Sequence, residues 1–268
     1  MDIIREFFGF GGYQREAEGF MSWQHLTLVS AFMAIMVFFA VFFGVRNRKK
    51  DDKAKNKPMI VAAVMIDSLE LFKIILLCFR SGDPMDWIYN LPLFLCSIQL
   101  ITIPLAAFSK GRLREVCMDF VFIFGLLGAV AGTYGAGNNY GSYPVLCFDN
   151  VISGITHSIS GFCSLYIVMA GLTKLKWKNF PFTFLTIAVF CGLAYLADIL
   201  IPYNYMFMIR GDGTPYDVLY NLVNGSPILY PLGVVLLFVL YIGAFYGVYH
   251  GILAIKNRKN KKGEPQEA

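Results

Sequence analysis

The feature that most constrains this chain is a series of long apolar runs, several reaching the 18–20 residues that cross a bilayer. Inside hydrocarbon no water satisfies the backbone, so such runs fold as helices or as a closed barrel. They are too long and too uniformly apolar for barrel strands. The sequence therefore reads as all-α, a polytopic transmembrane bundle in one integral membrane domain, 1–268. Seven spans are expected, at about 23–45, 58–79, 88–108, 117–136, 150–172, 180–201 and 229–253. With 57% hydrophobic and only 15% charged residues, the composition departs from a soluble domain, in which about a quarter is charged.

Charge sets the expected orientation. The loop 46–57 carries seven Lys or Arg, and smaller clusters fall at 110–114, 174–178 and 256–262. Seven spans put all of these on one side, eighteen basic residues against the four at Arg5, Arg15, Arg80 and Arg210. By the positive-inside rule the N-terminus is outside and the basic tail cytoplasmic. This pattern also accounts for the net charge of +5 through anionic lipid headgroups rather than a nucleic-acid partner. The first twenty residues hold Arg5, Glu6, Arg15, Glu16 and Glu18 and lack the continuous apolar core of a cleavable signal. The expected location is the cell membrane, multi-pass. The tail KNRKNKKGEPQEA reads as disordered. The segment 202–231 is expected to fold over the outer mouth, with a short helix near Tyr216–Val223.

Ionisable groups at membrane depth carry the functional reading, since they are costly there. The second run contains MIDSLELFK, in which Asp67, Glu70 and Lys73 share a face by their spacing of three. That face is either an internal ion pair that orients the helix or the wall of a polar cavity. Asn90, Cys96, Ser97 and Gln99 punctuate the third run. Ser153, His157, Ser160 and Gly161 share a face in the fifth, where Gly154 and Gly161 permit close helix approach. At 1.5 Å per residue, Glu70, Cys96 and His157 all lie about 10–13 Å below the outer ends of their runs. Thiol, imidazole and carboxylate are the parts of an activated nucleophile. Taken singly, each also has a packing role open to it. His25 reads as interfacial or as a cap, and His250 as snorkelling. The three histidines lie at different depths, so no metal site is expected, and no cofactor fingerprint is present. Six cysteines form no disulfide framework, with Cys78 and Cys147 the one conceivable bridge.

SWQHL before the first run, LPLFLC in the third, ITHSISGF in the fifth and NYMFMIRGDGTP after the sixth stand in order along the chain. Together they resemble the YwaF-like family of bacterial integral membrane proteins. That family is itself similar to eukaryotic transmembrane acyltransferases of ether-phospholipid metabolism, and more distantly to androgen-induced transmembrane hydrolases of fatty-acid esters. The resemblance implies an intramembrane Cys–His site, here Cys96 and His157, acting on a lipid acyl ester with a phospholipid as substrate. Asp67 or Glu70 would polarise such a site. The family motif reads LPLHLC, whereas this chain has Phe94 at the histidine position. Two further readings stay open: an ion-coupled transporter of small solutes built on Asp67, Glu70 and Lys73, and a sensor or scaffold without catalysis.

Overall fold

A computed structural model describes residues 2–263, with side chains for 3–258. Every regular element among them is helical. The chain forms two compact units, one up to Lys174 and one from Leu175 onward.

The first unit contains α1 (Asp2–Phe8), α2 (Trp23–Asn47), α3 (Asp52–Ser81), α4 (Gln99–Phe108), α5 (Gly111–Tyr134), α6 (Gly137–Ser142) and α7 (Phe148–Met169). Capping fixes several ends. Ser22 accepts a hydrogen bond from the amide of His25 to start α2, and Asp51 from that of Ala54 to start α3. Gly82 ends α3 in the left-handed conformation, φ 72°. Helix α5 is central: 67% of its most apolar window is buried, against 22% for α2. The α2 surface keeps Phe38, Phe39 and Phe42 exposed, as a lipid-facing helix does.

Glycines set the close approaches. A Cβ at Gly125 would stand 2.7 Å from the Ser160 carbonyl oxygen of α7. At Gly154 it would meet Phe32 of α2, and at Gly161 Met36 of α2 and Ala129 of α5. These are the small-residue contacts through which helices associate in lipid.

The two ends of this unit differ in chemistry. At one, Arg114 and Asn56 bond each other and the carbonyls of Ala106 and Ala107. Tyr166 there reaches the Lys55 carbonyl, so the basic loop 46–57 and Arg114 share an end. At the other, Arg80 of α3 and Asp149 of α7 pair at 2.8 Å. Tyr13 donates to Asp149 at 2.6 Å, and Phe7 and Phe8 pack on Phe148. Burial and the facing Asp149 carboxylate push the Tyr13 phenol well up.

The turn after α1 is closed by Glu6, which accepts from the amides of Arg15 and Gln14. The Arg15 amide, then that of Gln14, hold its carboxyl below the ordinary 4.5. A depressed carboxylate stabilises the closed turn above its unfolded value and stops doing so as pH falls through its folded value. The protection factors of the Gln14 and Arg15 amides, measured against their intrinsic exchange, are therefore expected to fall in the wild type as pH drops through the lowered folded value of Glu6. In Glu6→Gln they should be low at every pH.

The second unit holds α8 (Phe180–Leu200), α9 (Tyr216–Leu222) and α10 (Leu229–Gly263). Helix α9 falls where the short helix near Tyr216–Val223 is expected. The segment before it is ordered by Asp198, which accepts from the Tyr205 amide at 2.6 Å, and by Asn204, which donates to Asp212. These bonds hold Met206 and Phe207 at φ 53° and 56°, a costly region for non-glycine residues.

Three expectations change. Five helices are long and apolar enough to cross a membrane: α2, α5 with α6 through Ser142, α7, α8 and α10. Seven are not shown, because α3 carries Asp67, Glu70 and Lys73 within its run, and 88–108 is not one helix. There a 3₁₀ turn at Asp86–Asn90 gives way to irregular chain before α4. The break follows from Pro92, whose ring disfavours the helical region for its predecessor, and Leu91 is extended at ψ 148°. The basic tail is helical rather than disordered through Gly263, since a formed helix adds each further residue at little cost. Residues 264–268, the end of that tail, lie outside the described residues. All six cysteines are free; Cys78 instead approaches the Pro84 carbonyl and Cys147 is fully buried.

Candidate functional site

The break in 88–108 delivers chemistry. Cys96 and Ser97 lie in the irregular turn that leads into α4, beside the cavity-facing sides of α3 and α7. Together with Leu100 they close one wall of a cavity of about 70 Å³. Ile66, Glu70 and Lys73 of α3 supply the second wall; Ser153, Thr156, His157 and Ser160 of α7 supply the third. This volume suits a few waters or one small polar group, not an acyl chain.

His157 is oriented by its own helix. Nδ1 lies 2.7 Å from the Ser153 carbonyl oxygen. A carbonyl can only accept, so Nδ1 carries the proton and the neutral ring presents a lone pair at Nε2. Nε2 is buried and makes no hydrogen bond of good geometry, and the thiol of Cys96 and the imidazole interact electrostatically. Ser160 Oγ, also on the cavity, is likewise without a hydrogen-bond partner.

Helix α5 backs both groups. A Cβ at Gly132 would overlap the His157 ring, whereas one at Gly128 would rest 3.6 Å from Cys96 Cβ. Gly128 and Gly132 are four apart and share a helix face, so the thiol and imidazole pack one turn apart on the same bare strip. The signal in the sequence is GLLGAVAG, which sequence reasoning about polar residues passes over.

Glu70 takes Lys73 as its partner at 2.5 Å. The internal pair and the cavity wall, two readings of one stripe, are thus the same object. Asp67 is exposed on another side of α3 and does not line the cavity, because six residues of helix place it about 120° around the axis from Lys73. Asn90 donates to the Asp86 carbonyl, and Gln99 is fully buried against Thr102. His25 is fully buried and its Nδ1 accepts from the Met21 amide ahead of α2, as a cap does. It stacks on Tyr140 at 3.9 Å and bonds the Thr133 carbonyl. None of these three lines the cavity. Phe94 is also absent from the lining; its carbonyl accepts from the Ile98 amide. In the second unit, His250 stacks on Trp177.

The amides of Leu95, Cys96 and Ser97 make no hydrogen bond among the described residues. They lie in the turn ahead of α4, whose cap is Ile98. No cluster of three or more metal-ligating side chains occurs among the described residues.

These features define a class: a multi-pass helical membrane protein whose broken third segment brings a thiol to an imidazole-lined polar cavity. Residues 20–249 match the model of the TMEM164 family, and the chain belongs to that family. No curated protein matches the chain, and no solved structure does.

Proposed function

We propose that this protein is an enzyme that transfers or hydrolyses the acyl chain of a membrane lipid, with Cys96 as nucleophile and His157 as general base. The observation that carries the reading is the lone-pair-bearing Nε2 of His157 on the same small cavity as Cys96, with whose thiol the imidazole interacts. Cys96 Sγ would attack the ester carbonyl while its proton passes to Nε2, and the carbonyl π pair would move onto oxygen. On collapse the ester C–O bond breaks and the imidazolium returns that proton to the departing alkoxide. Water or a lipid hydroxyl then releases the thioester by the reverse sequence.

The cavity has room for the reacting ester carbonyl alone, so the headgroup and chain of the lipid would lie outside it. We further read the chain as a YwaF-like protein of a bacterial cell membrane, N-terminus outside, with anionic headgroups against its cytoplasmic basic loops. The four motifs and the distribution of charge support this. Among the described residues, none at the basic end lines the cavity, which disfavours the transport reading.

The test is acylation of the purified protein in nanodiscs by p-nitrophenyl myristate, read as a hydroxylamine-labile mass increase. Wild type should acylate, Cys96→Ala should not, and His157→Ala should slow by about 10²-fold or more. A folded wild type that stays unlabelled, or labelling indifferent to His157, would place transport ahead of catalysis.

A further inference from the structure

Lys73 is the one cation among the residues lining the cavity. A buried ion pair could orient a helix from any inward face, yet this pair stands on the cavity wall. Its side chains are only 23% and 12% exposed, so solvent screens the ammonium weakly. Lys73 and Cys96 line the same cavity of about 70 Å³, so a carbonyl seated on Cys96 shares that space with the ammonium. Lys73 also acts electrostatically on both Cys96 and His157.

We propose that Lys73 is a catalytic residue, its ammonium stabilising the oxyanion formed when Cys96 adds to the acyl carbonyl, and that Glu70 is the positioning residue that holds it there. The inference rests on the acyl-transfer reading of this site. During addition the S–C bond forms, the thiol proton goes to His157 Nε2, and the carbonyl oxygen takes the electron pair. Lys73 neither gives nor takes a proton. Its charge lies beside the developing oxygen anion. Such preorganised charge, in a site that excludes water, acts on the transition state rather than on ester binding.

Removing Lys73 alone would strand Glu70, so the comparison is made without that carboxylate. Full-length wild type, Glu70→Gln, Glu70→Gln/Lys73→Met and Lys73→Arg are acylated in nanodiscs with p-nitrophenyl myristate over a range of ester concentrations. Glu70→Gln is expected to acylate about tenfold more slowly than wild type, since the ammonium remains but is no longer held in place, and a Glu70→Gln as fast as wild type overturns the positioning role of Glu70. The double variant should be slower than Glu70→Gln by about 10²-fold in its limiting rate. Its half-saturating concentration and thermal midpoint should stay close to those of Glu70→Gln. Lys73→Arg, which keeps the charge, should recover most of the rate. A double variant as fast as Glu70→Gln, in a protein whose wild type acylates, overturns the role of Lys73 alone. A folded wild type that never acylates overturns the acyl-transfer reading and this inference with it.

Discussion

Gly132→Ala is expected to slow acylation of Cys96 by about 10²-fold or more while leaving the protein folded. The reason is steric and local. The added methyl would occupy the position of the His157 ring, and the ring cannot retreat without giving up the Ser153 carbonyl at 2.7 Å. A general base displaced by about 1 Å loses about that factor in rate. Alanine is otherwise the better helix former, so instability is not the expected cause. Gly128→Ala supplies the control. The same substitution, one turn away on α5, places its methyl at ordinary contact distance from Cys96. Its acylation should stay within a few-fold of wild type. The check is the p-nitrophenyl myristate labelling rate of both variants, with thermal unfolding alongside. If Gly132→Ala labels as fast as wild type, the imidazole's position does not matter and the base assignment fails.

Arg80→Met is expected to lower stability in detergent by about 2–4 kcal/mol, from the cost of stranding one partner of a mostly buried pair, reduced for residual exposure. Arg80 joins three parts of the first unit: its own α3, Asp149 at the start of α7, and the Phe8 carbonyl and Tyr13 of the N-terminal segment. Without it Asp149 keeps only the Tyr13 hydroxyl among these side-chain partners. A fall of about 5–15 °C in the unfolding midpoint corresponds to that loss in a chain of this size. Arg80→Met/Asp149→Asn should recover much of it, because no charge is then left unpaired. A single variant that melts with wild type would mean that water or lipid already serves Asp149. Residues 1–19 lie outside the family match, so this latch ties a segment outside the matched region to the helices within it.

How much of this was legible beforehand follows from what a sequence encodes. Apolar runs of spanning length fix the helical membrane class, because hydrocarbon leaves the backbone few alternatives. The spacing of Ser153, His157 and Ser160 fixes their common face, because helix period acts within one chain segment. Pro92 sits in the sequence, yet hydropathy averages over it, so the run 88–108 reads as one span when the chain is broken before α4. The basic tail looked too polar to order, but α10 carries it as far as Gly263.

What only the tertiary structure decided is which faces meet. Glu70 and Lys73, opposite in charge and three apart, pair within their own helix, and the packed bundle decided that this pair faces the cavity. The carboxylate expected to polarise the histidine is engaged elsewhere, and a backbone carbonyl orients the ring instead. Such a carbonyl is present in every residue and so leaves no trace in residue type. Equal depth made contact among α3, α4 and α7 feasible without selecting it. Between helices in lipid no hydrophobic force selects a partner, and the choice falls to close packing at small residues. The glycines of α5 make that choice here. They bring Cys96 and His157 onto one strip, and periodicity within a single segment carries no information about that meeting.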